Sequence, residues 1–258
     1  ERRLKSDESL SIKEELKLFG SDFFDTFQTS FMPINEPNPD SSYTLDTGDV
    51  LNIQLIGQED VNDVFPIGGD GSISMPDVGK LTVAGLTLKE AVSLIKSKVA
   101  NIYIGTDAFV SLDQIRDVNI LISGNAKNPG IYTLTGNSNI LHAITVAGGI
   151  NDFGSYREIN LLRNGEIIET LDVYNLLIEG KYNLKKRLRS GDVVFVEARK
   201  TVVSIDGAVK RPAKYELNEE EFLDSVIKFS NGIKHTADLQ NVSLERLLDG
   251  TLKSIKIF

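Results

Sequence analysis

The sequence predicts an α+β protein of several small domains in series, built from mixed sheets and short helices. Three observations carry this. Asp117 to Arg163 recurs without a gap at Lys200 to Arg246, shifted by 83 positions. In that overlap 11 of 47 positions are identical: Ile122/Ile205, Gly124/Gly207, Lys127/Lys210, Pro129/Pro212, Tyr132/Tyr215, Leu134/Leu217, Ile144/Ile227, Gly149/Gly232, Ile150/Ile233, Leu161/Leu244 and Arg163/Arg246. Second, short alternating apolar runs are punctuated by Gly, Pro, Asn and Asp, with helical spacing between them. Third, one turn sequence opens a strand twice, as Asp46-Thr47-Gly48-Asp49-Val50 and as Arg189-Ser190-Gly191-Asp192-Val193. A self-match of this kind marks a structural unit used in series, which suits a scaffold or a surface better than a single reaction centre.

A chain of 258 residues with 41% hydrophobic residues has room for two or three ordinary domains. The net charge of -9 argues against a nucleic-acid partner, which needs a Lys/Arg surplus. There is no cysteine, so disulfides and thiolate metal sites are excluded. No apolar stretch follows Glu1-Arg2-Arg3-Leu4-Lys5 as a signal peptide would require. No run approaches the ~18 apolar residues of a spanning helix.

Residues 1–42 read as an arm and linker. Ser11 and Glu14 form a capping box, and Ile12, Leu16 and Phe19 keep helical spacing up to Gly20. Phe23, Phe24, Phe27 and Phe31 are expected to dock the arm onto the body; the sharper alternative is an aromatic surface for a partner or sugar. Pro33, Pro37 and Pro39 give an extended linker.

Residues 43–116 form the first compact unit. Val50 to Leu55 alternates as a strand. Phe65-Pro66-Ile67 and Ser72 to Met75 flank Gly68-Gly69-Asp70-Gly71 as a hairpin. Thr87 or Gly85 starts a helix facing inward with Leu88, Ala91, Val92, Ile95 and Val99, and Ala108 to Leu112 closes the unit.

Residues 117–199 form the first repeat. Asn119 to Ser123 and Ile131 to Leu134 are strands joined through Asn128-Pro129-Gly130, which suits a type II turn. Ser138 can cap a helix carrying Ile140, Leu141, Ile144 and Val146, which stops at Gly148-Gly149. Glu158 to Arg163 and Glu166 to Leu171 make a hairpin around Asn164-Gly165. A short helix over 172–179 and a strand over Val193 to Val196 complete it.

Residues 200–258 start a second repeat that stops before any counterpart of Gly191-Asp192-Val193. Such a unit leaves a strand edge unpaired, so the sequence is expected to be part of a longer protein. Gly48, Asp49, Asp70, Gly71, Gly124, Pro129, Gly191, Asp192, Gly207 and Pro212 are assigned to structural turns, with Asp49 and Asp192 bonding back to turn N–H groups.

Chemistry is sparse. No GxSxG, HExxH or GxxxxGK[ST] occurs, and Gly68-Gly69-Asp70-Gly71 lacks the lysine and following helix of a phosphate loop. His142 and His235 stand alone without cysteine partners, so structural or solvated roles are expected. Glu59, Asp60 and Asp63 lack EF-loop spacing and read as a solvated loop. Glu219-Glu220-Glu221 reads as an acidic helix start, and no pair of carboxylates stands out for glycoside cleavage. No catalytic residue, cofactor or metal is therefore assigned. Tyr132 and Tyr215 are weak candidates for stacking on a ligand, against a core-packing role for both.

One family resemblance organises these pieces. Tyr43-x-Leu45-x-x-Gly48-Asp49-Val50-Leu51-x-Ile53, then Asp70-Gly71-x-Ile73-x-x-Pro76-x-x-Gly79, then Gly85-Leu86-Thr87-x-x-Glu90-Ala91, resemble the polysaccharide-export domain of outer-membrane polysaccharide export proteins. Gly124-x-x-x-x-Pro129-Gly130-x-Tyr132, Ala147-Gly148-Gly149-Ile150 and Leu161-x-Arg163 resemble the SLBB modules that follow it, which are β-grasp relatives. Phe19-Gly20-x-Asp22-Phe23-Phe24 is most similar to the longer, multi-SLBB members of the group 2 capsule export type. The second repeat departs at Ala213, opposite Gly130, and at Asn231, opposite Gly148. The membrane-spanning C-terminal helix and the lipidation cysteine of well-known members have no counterpart in this sequence. The resemblance implies a non-enzymatic subunit of a channel in the periplasm and outer membrane of a Gram-negative bacterium. It also implies a homo-oligomeric ring, commonly an octamer, which docks on an inner-membrane polysaccharide co-polymerase and passes a polysaccharide. The acidic balance adds that a polyanionic polymer would be held weakly by such a wall.

Overall fold

The structure is a computed structural model that describes residues 15–24, 39, 41–57, 61–248 and 250–256. Ser11 to Glu14, Phe27, Phe31, Pro33, Pro37, Glu59 and Asp60 lie outside the described residues.

The first unit contains β1 (Val50–Ile56), β2 (Val61–Pro66), β3 (Ser72–Met75), β4 (Gly79–Thr82), α1 (Leu88–Ile102) and β5 (Asp107–Gln114). β1 lies between β2 and β5, antiparallel to both. Its alternation turns Leu51, Ile53 and Leu55 into a core that α1 closes with Ala91, Ile95 and Val99. Thr87 caps α1: its side chain accepts from Glu90 N, and the Glu90 carboxylate accepts from Thr87 N. The hairpin expected around Gly68 to Gly71 is corrected. β2 pairs with β1, and β3 pairs with β4 through Met75 and Gly79. Gly68 N donates to Ser72 O at 2.9 Å and Gly71 N to Gly68 O at 2.9 Å, so the glycine run closes on itself and passes the chain between two sheets.

The first repeat contains β6 (Asp117–Gly124), β7 (Gly130–Thr135), α2 (Ile140–Val146), β8 (Gly154–Arg163), β9 (Glu166–Leu171), α3 (Val173–Glu179) and β10 (Val193–Ala198). They form one mixed sheet in the order β7-β6-β10-β8-β9, with β10 parallel to β6 and antiparallel to β8. Asn164 (φ 53°) and Gly165 (φ 84°) make the tight β8–β9 turn the dipeptide predicts. The cap of α2 is corrected by one residue: Asn139 Oδ1 accepts from Leu141 N and His142 N. Gly130 is corrected too. It opens β7 without a positive φ, so no type II turn forms there.

The second repeat contains β11 (Thr201–Ile205), β12 (Ala213–Leu217), α4 (Leu223–Phe229), β13 (Ser243–Leu248) and β14 (Thr251–Lys256), paired as β11–β12 and β13–β14. Its two departures from the first repeat have physical explanations. Ala213 replaces Gly130 at a strand start where no left-handed φ is needed. Asn231 replaces Gly148 at φ 62° against 78°, and Asn is the side chain that tolerates that region best after Gly.

The arm departs from the helix expected up to Gly20. Leu18 forms a parallel bridge with Lys214, Lys214 N donates to Lys17 O at 2.9 Å, and Phe19 N donates to Lys214 O at 2.8 Å. The backbone groups of the arm are satisfied by the free edge of β12 rather than by a helical turn of their own. Its described phenylalanines, Phe19, Phe23 and Phe24, pack against the body. Phe24 is 2% exposed, and Phe19 stacks on Tyr215 at 5.3 Å between ring centroids. Two cores result. One belongs to the first unit; the other runs through Phe24, the first repeat and Ala213, Tyr215, Leu217, Val226 and Phe229 of the second.

Candidate functional site

The turn that opens β1 and the turn that opens β10 are built alike. Gly48 (φ 94°) and Gly191 (φ 87°) take the left-handed step, and the next residue is a buried aspartate. Asp49 Oδ2 accepts from Asp46 N at 2.9 Å, and Asp192 Oδ2 accepts from Arg189 N at 2.7 Å. Each carboxylate then takes an arginine. Arg116 donates to Asp49 from its backbone N and from Nη1, both at 2.8 Å. Arg163 donates to Asp192 from Nε at 2.8 Å and Nη2 at 2.7 Å. Each buried carboxylate has its oxygens met by several donors, and its arginine loses freedom. The hydrogen bonds to Asp192 raise the Arg163 pKa above its ordinary value. Burial, with the Asp49 charge adding, pushes the Tyr43 phenol up as well. Asp49 and Asp192, read from the sequence as turn residues, each accept from the N–H three residues earlier. Their arginines were not legible as partners, although the Arg163/Arg246 identity was the available signal.

Arg116 also joins two units. It ends the link before β6, its carbonyl accepts from Gly136 N at 2.8 Å, and its guanidinium reaches back to Tyr43 Oη at 2.8 Å. Between the first unit and the first repeat lies a cleft of about 630 Å³. Arg116, Arg163, Lys185, Lys186, Arg187 and Arg189 line it, and Asp46 is the acidic side chain facing them among the described residues. The strap that carries the last four, after α3, has no regular structure but is pinned by its backbone. Glu169 Oε1 accepts from Lys185 N at 2.9 Å and Lys186 N at 3.2 Å, Leu188 N donates to Ser138 O at 2.9 Å, and Arg187 O accepts from Arg163 Nη2 at 3.0 Å. The side chains of Lys185, Lys186 and Arg189 make no ion pair among the described residues, and all three residues are exposed. A cationic cleft thus stands in a chain of net charge -9.

The remaining candidates are structural in their contacts. Tyr132 Oη donates to Asn128 O at 2.7 Å and Tyr215 Oη to Arg211 O at 2.8 Å, each clasping the residue before the repeat's proline, Pro129 or Pro212. Tyr215 is fully buried under Phe19. Asp70 accepts from Ser72 N at 3.1 Å and pairs with Lys80 at 2.8 Å, beside Gly71 at φ 75°. His142 faces the start of its own helix, and its Nδ1 accepts from Asn139 N. Glu219 to Glu221 precede α4 rather than start it. Phe222 is the N-cap, and Glu221 is drawn to Arg157 of the first repeat.

Serial α+β units, clasped turns and a polar cleft between units define a multidomain scaffold that presents surfaces. The family model described as polysaccharide biosynthesis/export protein matches residues 37–113, and the SLBB domain model matches 120–170 and 202–255. The chain belongs to the family of outer-membrane polysaccharide export proteins. It is 28% identical over 205 residues to the polysialic acid transport protein KpsD of Escherichia coli, covering 79% of this chain and 36% of that protein. It is 28% identical over 178 residues to the EPS I polysaccharide export outer membrane protein EpsA of Ralstonia nicotianae, covering 68% and 46% respectively. A shorter match, 33% over 89 residues, is to the exopolysaccharide production protein ExoF of Rhizobium meliloti. The chain spans about a third of the length of the KpsD relative it matches.

Proposed function

We propose that this chain is part of a non-enzymatic structural subunit of a periplasmic and outer-membrane channel that exports capsular or extracellular polysaccharide. The observation that carries the reading is the ordered series of an export unit followed by two SLBB units, in a chain related to polysaccharide export and transport proteins. The serial units have strand edges through which copies can associate into a ring. A homo-oligomer, commonly an octamer in this family, and an inner-membrane co-polymerase partner belong to the same reading. We divide the chain as arm 1–42, export domain 43–116, and repeats 117–199 and 200–258. The alternative of a binding module stacking sugars on Tyr132 and Tyr215 is disfavoured by the burial of Tyr215. No helix of the described residues is long and apolar enough to cross a membrane.

The test is a clean deletion in the native host followed by location of the polymer. Polymer made in normal amount but trapped in the envelope is the expected result. Polymer reaching the surface as before, with no paralogue taking over, overturns the reading.

A further inference from the structure

We propose that the cleft between the export unit and the first repeat receives a short stretch of acidic polysaccharide, with its anionic groups met by Lys185, Lys186 and Arg189. The inference rests on the export reading and adds to it a site and a substrate class. Six cationic side chains converge on one volume, against one lining carboxylate among the described residues. Asp49 and Asp192 hold Arg116 and Arg163 from behind, so these two form a rigid floor rather than mobile contacts. The free charge is on the strap. Lys185, Lys186 and Arg189 project from a backbone that is itself bonded to Glu169 and Ser138, so only their side chains, and not the strap, need be ordered on binding.

The chemistry of the cleft selects among anions. Lys185 to Arg189 spans at most ~14 Å of extended chain, which suits charges repeated along a polymer better than one small ion. The volume of about 630 Å³ lies within the range of pockets that take extended small ligands. An acidic peptide would need apolar anchors to bind well. Instead the lining is largely polar and includes the exposed Thr44, a hydroxyl suited to a sugar. Exposed ammonium groups in water give weak, salt-sensitive attraction. This fits a polymer that is held briefly and released, and it reconciles a local cationic site with an acidic whole.

The experiment titrates this chain with tetragalacturonate and with neutral maltotetraose, following amide shifts by NMR, for the wild type and for K185E/K186E. The acidic tetramer is expected to shift amides of the strap and of the 42–46 segment, about tenfold more weakly in ~200 mM than in ~20 mM salt, and maltotetraose to shift none. The double variant should lose binding at least tenfold while keeping its urea midpoint, since both side chains are exposed. Equal binding of the neutral tetramer, or undiminished binding by the double variant, overturns the proposal. Tighter binding of tetraglutamate than of tetragalacturonate makes the cleft a protein interface, and full displacement by equimolar inorganic phosphate makes it a simple anion site; either result also overturns it. In the host, a deletion that traps polymer combined with normal export and binding by K185E/K186E sinks the site and leaves the export reading intact. Loss of binding by the variant, with polymer at the surface in the deletion strain, sinks the export reading and leaves the site.

Discussion

Arg157 of the first repeat grips both carboxylate oxygens of Glu221 in the second, from Nη1 at 2.6 Å and Nη2 at 2.9 Å. Its Nε reaches Asp172, and its guanidinium lies 4.6 Å from the Tyr174 ring centroid and 5.2 Å from that of Phe229. One side chain therefore joins a strand, a helix cap and the following unit. Burial works against the charge on Arg157, but Glu221 and Asp172 outweigh it and raise its pKa. Burial also works against ionised Glu221, yet the Arg157 bond and Asn218 N–H hold its pKa below the ordinary value.

Removing this guanidinium strands two partly buried carboxylates. Arg157→Met keeps most of the volume and is expected to cost about 3 kcal/mol. Urea unfolding measures it. A cost below about 1 kcal/mol would show that water screens the pair.

The two repeats share a second, exposed link with a defined pH dependence. Glu179 ends α3 and pairs with Lys181 at 2.6 Å and with Lys228 of the second repeat at 2.9 Å. These bonds lower its pKa from 4.5 to about 2. A lowered carboxylate contributes stability that is present above its unfolded value and is lost as pH falls through the folded value. Between about pH 4.5 and 2 the wild type should therefore lose more stability than Glu179→Gln. Parallel pH profiles for the two proteins would rule this linkage out.

Equivalent glycines should respond unequally. At Gly124 (φ 72°) an added Cβ would lie 2.3 Å from Val196 O on β10, whereas at Gly207 (φ 85°) it would meet nothing within 4 Å among the described residues. Gly207→Ala should cost only the left-handed penalty, about 1–2 kcal/mol. Gly124→Ala should cost clearly more, because β6 and β10 must separate. Equal midpoint shifts in thermal unfolding would contradict this.

Phe24 fills a gap beside Gly149, where an added Cβ would lie 2.6 Å from the Phe24 Cβ. Phe24→Ala should cost about 3–5 kcal/mol. Removal of residues 1–24 should speed hydrogen exchange at the Lys214 amide, which donates to Lys17 O. Unchanged exchange there would mean that the arm does not hold the β12 edge.

Much of this was legible in the sequence because it is local. Asn164-Gly165, Thr87 with Glu90, and the two Gly-Asp turns state their geometry in neighbouring residues. The partners of the aspartates were not legible, since Arg116 lies 67 residues from Asp49 and Arg163 lies 29 from Asp192. The arm misled for a related reason. Leu16 and Phe19 keep helical spacing, but a free strand edge far along the chain competes for their backbone. β3 was assigned the wrong partner because a glycine turn fixes a reversal and not which strand follows it. The cleft was hidden because Lys185-Lys186-Arg187 reads as an ordinary solvated charge run until Arg116 is placed across from it.

The bridge between Leu18 and Lys214 also fixes an order of events. Glu15 and Lys214, ion-paired beside it, are 199 residues apart in sequence. At ~5–20 residues per second of synthesis, the arm waits roughly 10–40 s for the strand that receives it. Until then the backbone of Lys17 to Phe19 has no strand edge to pair with. The pairing of Lys17 to Phe19 is thus completed only after the second repeat is made, and with Phe24 seated on the first repeat the segment then bridges the two.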